Sequence, residues 1–336
     1  MKECDIDEEI LSLFAVHNST IKVLNIDCTH NFPKTIDIQL LSSNLSILFL
    51  SHSYINDEDA TRIGSMLCNN ESLQELHLDR NNITVGGAIH IFMGLIDNRS
   101  LRYLNIGRQT TTENLANSGN NNKELQESLA EIASTMFQSN KTLRRLSVPV
   151  FASHSRKTMF NAFELKIYSK SITEHTKRNH INSCLKYDLK FTNAMSDVPA
   201  DILLPVVLLP AEEFLSLVQC SSLEEFDLSG YNMTEPTTML SLVNFLKHNS
   251  TMTHLKLFAC RLDELQHAPL RKQLFHALCD NQSLTDLSVD PRTASILVGL
   301  VDKVNYERHT KGSPLLTIHT SSDYYKSLMT MWNHSS

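Results

Sequence analysis

One phrase recurs along the chain: an Asn, two residues, then Leu-x-x-Leu-x-Leu. It reads Asn70-Glu-Ser-Leu73-Gln-Glu-Leu76-His-Leu78 and again Asn98-Arg-Ser-Leu101-Arg-Tyr-Leu104-Asn-Ile106, with the copies 28 residues apart. A period of that length predicts one strand-plus-helix unit stacked on copies of itself. Stacked units present a broad face more readily than a catalytic cleft, so the period already weighs on function.

Aligned on the first apolar position, units begin at Ile21, Leu45, Leu73, Leu101, Leu143, Leu223, Met252 and Leu284. Positions 4 and 6 of each phrase alternate like a strand, placing those side chains inward and positions 3, 5 and 7 outward. The spacing then turns helical. Ala88, Ile91, Phe92 and Leu95 share one predicted helix face, as do Leu125, Leu129, Ile132, Ala133 and Met136, and Met239, Leu242, Val243 and Leu246.

From Leu73 to Leu101 the chain resembles the ribonuclease-inhibitor type of leucine-rich repeat: L-x-x-L-x-L-x-x-N-x-I, a glycine, then a helix ending L-x-x-N. The resemblance extends over about 18–148 and 220–320. It implies an α/β solenoid, a horseshoe with a parallel concave sheet, convex helices and helical caps. The expected division is an N-terminal cap at 1–20, repeats at 21–148, degenerate repeats or an insert at 149–222, repeats at 223–318 and a C-terminal cap at 319–336. The caps are read from Ile6, Ile10, Leu13 and Phe14 at one end and Tyr324 to Trp332 at the other; open solenoid ends would expose core.

Three intervals break the period. Leu101 to Leu143 spans 42 residues, and its surplus matches the polar stretch Gln109 to Asn122, which reads as a mobile loop on the concave rim. Met252 to Leu284 spans 32. Leu143 to Leu223 spans 80, and Met195-x-x-Val198 falls 28 before Leu223, which suggests hidden degenerate repeats.

Six Asn-x-Ser/Thr tripeptides, at Asn18, Asn70, Asn98, Asn140, Asn249 and Asn281, precede strands. They match the glycosylation acceptor pattern. Their fixed place in the repeat instead suggests that each Asn satisfies backbone groups where a helix ends.

Composition narrows the class. The 336 residues carry 30 Lys and Arg against 37 Asp and Glu, a net charge of −7. That argues against a dedicated nucleic-acid binder. No apolar run approaches the roughly 20 residues of a membrane span, and the acidic start lacks a signal-peptide core. Seven cysteines without C-x-x-C spacing fit reduced thiols in a cytoplasmic setting rather than a disulfide or zinc framework. Cys68 and Cys279 occupy matching repeat positions and read as packing residues.

Nucleotide-binding, metalloprotease and hydrolase-elbow motifs are absent, so no enzyme, cofactor or metal is expected. The outward positions carry the functional reading. Phe49, Tyr103 and Phe258 are the expected aromatic anchors of an interface. Glu75, His77, Asp79, Glu225 and Asp227 supply polar contacts beside them, and Arg108 and Arg145 belong to a basic stripe. Eight strands about 4.8 Å apart would span roughly 40 Å, ample for a standard interface. Residues 155–190 hold eight Lys or Arg against three acids, a local excess suited to peripheral contact with an anionic membrane, RNA or an acidic protein. They lack the interleaved aromatics of a single-stranded nucleic-acid site.

The expected function is therefore a monomeric scaffold that binds a protein partner in its concavity. Few glycines, many asparagines and worn repeats are similar to the leucine-rich-repeat effectors that Legionella-like intracellular bacteria deliver into host cells. That resemblance implies a host protein or a fellow effector as partner. The alternative is a GTPase-activating protein of the Ran-directed kind, from which the chain departs by ending Met329-Thr-Met-Trp-Asn-His-Ser-Ser336 instead of in an acidic tail. A ubiquitin ligase would need a separate cysteine domain, with room only at 149–222.

Overall fold

The computed structural model describes residues 21–27, 44–111, 119–148, 150, 204–205, 207–219, 221–262 and 268–320. Both expected caps lie almost wholly outside these residues. The chain is a leucine-rich-repeat solenoid: one parallel sheet, with helices on its other side.

The sheet strands are β1 (Val23–Asn25), β2 (Ile47–Phe49), β3 (Glu75–His77), β4 (Tyr103–Asn105), β6 (Arg145–Ser147), β8 (Glu225–Asp227), β9 (His254–Leu257), β10 (Asp286–Val289) and β11 (Thr317–Thr320). They lie side by side in that order, every pair parallel. A separate two-residue pair joins β5 (Thr110–Thr111) to β7 (Leu204–Pro205), antiparallel. The helices are α1 (Asp57–Asn69), α2 (Val85–Asp97), α3 (Gly119–Ser139), α4 (Ala211–Val218), α5 (Pro236–His248), α6 (Ala268–Asp280) and α7 (Pro291–Thr310).

Register follows the repeat. Leu24, Leu48, Leu76, Leu104, Leu146, Phe226, Leu255, Leu287 and Ile318 stand opposite one another across the nine strands. Most of this row is fully buried against the helices, each Leu contributing about 1.5–3 kcal/mol of burial. A one-residue slip would turn the whole row to the open face, so the apolar pattern fixes the alignment.

Two spines of polar side chains tie unit to unit. In the first, Oδ1 of Asn98 accepts from the N–H groups of Ser100 (3.0 Å) and Leu101 (2.7 Å). Its Nδ2 donates back to the carbonyls of Leu67 (2.7 Å) and Asn70 (3.1 Å) in the preceding unit. Asn140 and Asn281 repeat the pattern. Asn70, Asn98, Asn140, Asn249 and Asn281 are all buried, so these five tripeptides serve the backbone and leave no Asn accessible to a glycan. Asn18 lies outside the described residues.

The second spine follows each strand. Asn81 donates to the carbonyls of Leu50 and Leu78 and accepts from the N–H groups of Ser53 and Ile55. One unit on, Gln109 does the same for Leu78, Ile106, Asn81 and Ile83. Gln109 is therefore buried structure and not the start of a loop: its amide takes the asparagine's place. At its two ends the expected loop gives way to regular structure: Thr110–Thr111 pair with Leu204–Pro205, and α3 begins at Gly119. Residues 112–118 lie outside the described ones.

Across the longest interval the pairing favours the expected insert over an extra repeat strand. β6 pairs directly with β8, Leu146 opposite Phe226, across 80 residues of sequence. That leaves no place for a further strand between them; Met195 and Val198 lie outside the described residues. Two smaller expectations fail. Leu125 is 40% exposed, because α3 has 21 residues where its neighbours α1 and α2 have 13, and Leu125 sits in the extra turns. Cys68 is exposed while Cys279 packs.

Candidate functional site

The strands leave one face of the sheet open, bearing the outward positions of each phrase. Its clearest feature is a row of four side chains on four neighbouring strands. The Phe49 ring stacks on the His77 imidazole, centroids 4.3 Å apart and planes 26° from parallel. His77 meets Tyr103 edge to face at 5.0 Å. The Arg145 guanidinium lies over the Tyr103 ring, 4.5 Å from its centroid. Each step across the sheet is about 4.8 Å, close to the spacing at which rings and guanidinium planes stack.

Glu75 locks this row. Its Oε1 accepts from Arg145 Nη2 at 2.7 Å, reaching past β4 and so bracketing Tyr103. Its Oε2 lies 3.8 Å from His77 Nε2, too far for a hydrogen bond. His77, foremost, and then Arg145 hold the Glu75 carboxyl below its usual range, against an opposing effect of partial burial. Asp79, just beyond β3, accepts from Ser51 Oγ (2.8 Å) and Asn105 Nδ2 (3.0 Å). Beside it, Ser51 N donates to Asp27 (2.6 Å). Burial, reinforced by the nearby Asp79 charge, pushes the Asp27 carboxyl up to about 6.

Across the sheet, Glu225 is paired with Lys256. Asp227 accepts from Ser147 Oγ (3.2 Å) and the Ser229 N–H (2.9 Å). Further on, Asp286 lies between two histidines on the flanking strands.

The sequence-derived candidates thus fall into groups. Phe49, Glu75, His77, Tyr103 and Arg145 come together, with Asp79 at their edge. Glu225 and Asp227 lie two strands from Tyr103, beyond β6. Phe258 follows β9, three strands further from Phe49 than Tyr103 is, so the three aromatics do not form one patch. Arg108 is not on a strand: with His52 and Arg80 it occupies the turn after one, in the left-handed region at φ 57°. Sequence reasoning left out His319, which joins this face through Asp286; the outward position of the last strand-like segment, Leu316-Thr-Ile318, was its signal. Among the described residues no group of His, Cys, Asp and Glu is placed to hold a metal.

Geometry therefore defines the class: a repeat solenoid with one open, preorganised polar-aromatic face. No protein-family model and no curated protein matches the chain. Among solved structures it is similar to the chain described as leiomodin-1 actin-binding site 2, at a TM-score of 0.32 and 19% identity, over 57% of this chain and 99% of that one. It is also similar to a tropomodulin C-terminal domain from Caenorhabditis elegans, at 0.32 and 15%, over 54% and 98%. The fold assignment rests on the strand row and the two spines, not on these likenesses.

Proposed function

We propose that this chain is a non-enzymatic scaffold that binds a protein partner on the open face of its sheet and acts by occluding or tethering it. The observation that supports this reading is the Phe49–His77–Tyr103–Arg145 row. Its rings are already held by stacking and by Glu75, so a partner meets anchors whose ordering cost has been met in folding. Aromatic and arginine side chains are also the commonest centres of binding energy.

Within this reading the partner is a host protein or a fellow effector, and the chain is a monomer working in the cytoplasm of a host cell. The basic segment 155–190 adds a peripheral membrane contact. No helix among the described residues is long and apolar enough to cross a membrane.

The test is affinity capture from a host-cell lysate, read by mass spectrometry, with wild type and two variants. Phe49→Ala with Tyr103→Ala removes the anchors, and Glu225→Lys with Asp227→Lys reverses charge further along. Loss of a partner from either variant, with unchanged circular dichroism, supports the open face. Equal capture by all three rejects it. Stimulated hydrolysis of GTP by small GTPases would replace this reading with the Ran-type activator.

A further inference from the structure

The open face changes sign along the solenoid. Take each strand with the residue before it and the turn after it. Among the described residues, β1 to β6 then carry six cations: Lys22, Arg80, Arg102, Arg108, Arg144 and Arg145. Three carboxylates, Asp27, Glu75 and Asp79, stand against them, a balance of +3. From β8 to β11 the five carboxylates Glu224, Glu225, Asp227, Asp286 and Asp290 stand against Lys256 and Arg261, a balance of −3. Imidazoles are ordinarily neutral at about pH 7.5 and add nothing to either balance.

The change falls between β6 and β8, where the 80-residue interval also separates the two runs of repeats. Arg145 pairs back to Glu75, and Lys256 pairs with Glu225, each within its own half. Arg144 and Glu224 face each other across the boundary at 3.6 Å, both about half exposed. Asp227 is held by neutral donors, Ser147 Oγ and the Ser229 N–H, so its charge stays on the face. Register turns this polarity into a track: Tyr103, Arg145, Glu225, His254 and Asp286 stand opposite one another on consecutive strands. At about 4.8 Å per strand, Tyr103 to Asp286 is roughly 19 Å, the reach of about six extended residues.

Nucleic acids and anionic membranes present negative charge throughout, which the β8–β11 half repels. A polypeptide can carry both signs within one segment. Resting on the reading of the open face as a partner site, we propose that it docks a partner-protein segment whose charge is split along its length, acidic over β4–β6 and basic over β8–β10. The Phe49, His77 and Tyr103 rings lie at the acidic end of that segment and take its apolar side chains. The two opposed fields fix the direction in which the segment lies, because the reversed pose sets like charge on like.

The probes are fluorescent dodecapeptides of equal Glu, Lys and Leu content, measured by anisotropy against the full chain at about pH 7.5 and low salt. One segregates Glu and Lys into opposite halves, and the other alternates them. The segregated peptide is expected to bind about tenfold more tightly, and its advantage to fade in about 0.5 M salt. Arg102→Glu with Arg144→Glu turns the first half negative, and Glu224→Lys with Asp286→Lys turns the second positive. Either pair should abolish the preference, since one sign then covers the whole face. Both pairs together exchange the ends and should restore it, with the peptide lying the other way round. The comparison on the wild-type chain needs no variant, and circular dichroism shows which variants fold. Equal binding of the two peptides by wild type overturns the proposal, as does a preference that survives either pair of substitutions alone. Tighter binding of an all-Lys or all-Glu peptide than of the segregated one overturns it too. If lysate capture depends on Phe49 and Tyr103 while the arrangement of peptide charge is immaterial, only the split-charge partner falls. If the peptides are told apart and capture does not depend on the open face, the partner-site reading falls instead.

Discussion

The guanidinium of Arg308, fully buried, donates from Nη2 to the carbonyl of Asn281 at 2.7 Å and to that of Leu284 at 2.7 Å. In earlier units the corresponding carbonyl, Asn70 or Asn98, is taken by the Asn one unit on. At this last junction α7 runs for 20 residues and supplies no such Asn, so an arginine from the helix reaches in to end the spine. Burial pulls its pKa down, and Nε and Nη1 have no hydrogen-bond partner.

Arg308→Ala should therefore orphan two buried carbonyls and leave a void, costing about 2–4 kcal/mol. Arg308→Met fills the space without donating and should recover only part of that. Thermal melting of the three proteins separates the contributions; a loss below about 1 kcal/mol in the alanine variant would mean the arginine is not the spine's terminus.

Much of this architecture was legible in the sequence, and the failures have a physical pattern. The strand row was readable because apolar spacing within one phrase fixes both the strand and its buried side. The Asn spine was readable because every Asn precedes its strand by the same five residues. Gln109 was misread because one more methylene lets its amide do an asparagine's work, while its polar surroundings look like loop. The β6–β8 pairing across 80 residues was hidden because pairing depends on the stack, not on chain distance. The Phe49–His77 stack and the Glu75–Arg145 pair join residues 28 and 70 apart, a closeness that appears only once register is known.

Asp27 provides a test by pH. Its carboxyl is pushed up to about 6, chiefly by burial, from an ordinary value of 3.8. An acid whose folded pKa is raised binds its proton more tightly in the folded state. Its contribution is fully favourable below the unfolded value, is lost as pH rises from about 4 to 6, and stays unfavourable above that. Asp27→Asn keeps the acceptor for Ser51 N and removes the charge. Stability above about pH 6 should rise by roughly 1–2 kcal/mol, with no gain near pH 3.5. Melting temperatures at the two pH values check this; a gain of equal size at both would assign the effect to something other than titration.

Gly230 tests the turn geometry. The residues that follow β2, β3, β4 and β9, namely His52, Arg80, Arg108 and Ala259, accept left-handed backbone at φ 55–59°, at about 1 kcal/mol each. After β8 the same position is Gly230, at φ 86°. A Cβ there would lie 1.8 Å from the Val150 carbonyl oxygen, so strain and collision add. Gly230→Ala should cost about 2–4 kcal/mol, more than backbone strain alone. Arg80→Gly, relieving strain at an equivalent turn, should by contrast be near neutral in a denaturant titration. Equal small effects at both sites would show that the Val150 backbone simply moves aside.

Neighbouring residues Leu76 and Glu75 test whether the two sides of one strand do separate work. Leu76 sits in the buried row at 0% exposure, and Glu75 sits on the open face with its side chain 30% exposed. Leu76→Asp would place a charge in the buried apolar row and empty part of the core, for a loss above about 4 kcal/mol. The ion pair of Glu75 with Arg145 is partly solvated, so Glu75→Gln should cost no more than about 1 kcal/mol. Its effect should appear in binding: without the carboxylate, Arg145 is released from Tyr103 and the anchor row must be ordered anew when a partner arrives. A Glu75→Gln protein that melts like wild type yet captures its partner less well would separate the face that binds from the face that folds. If its melting temperature falls as far as that of Leu76→Asp, Glu75 belongs to the core's stability instead.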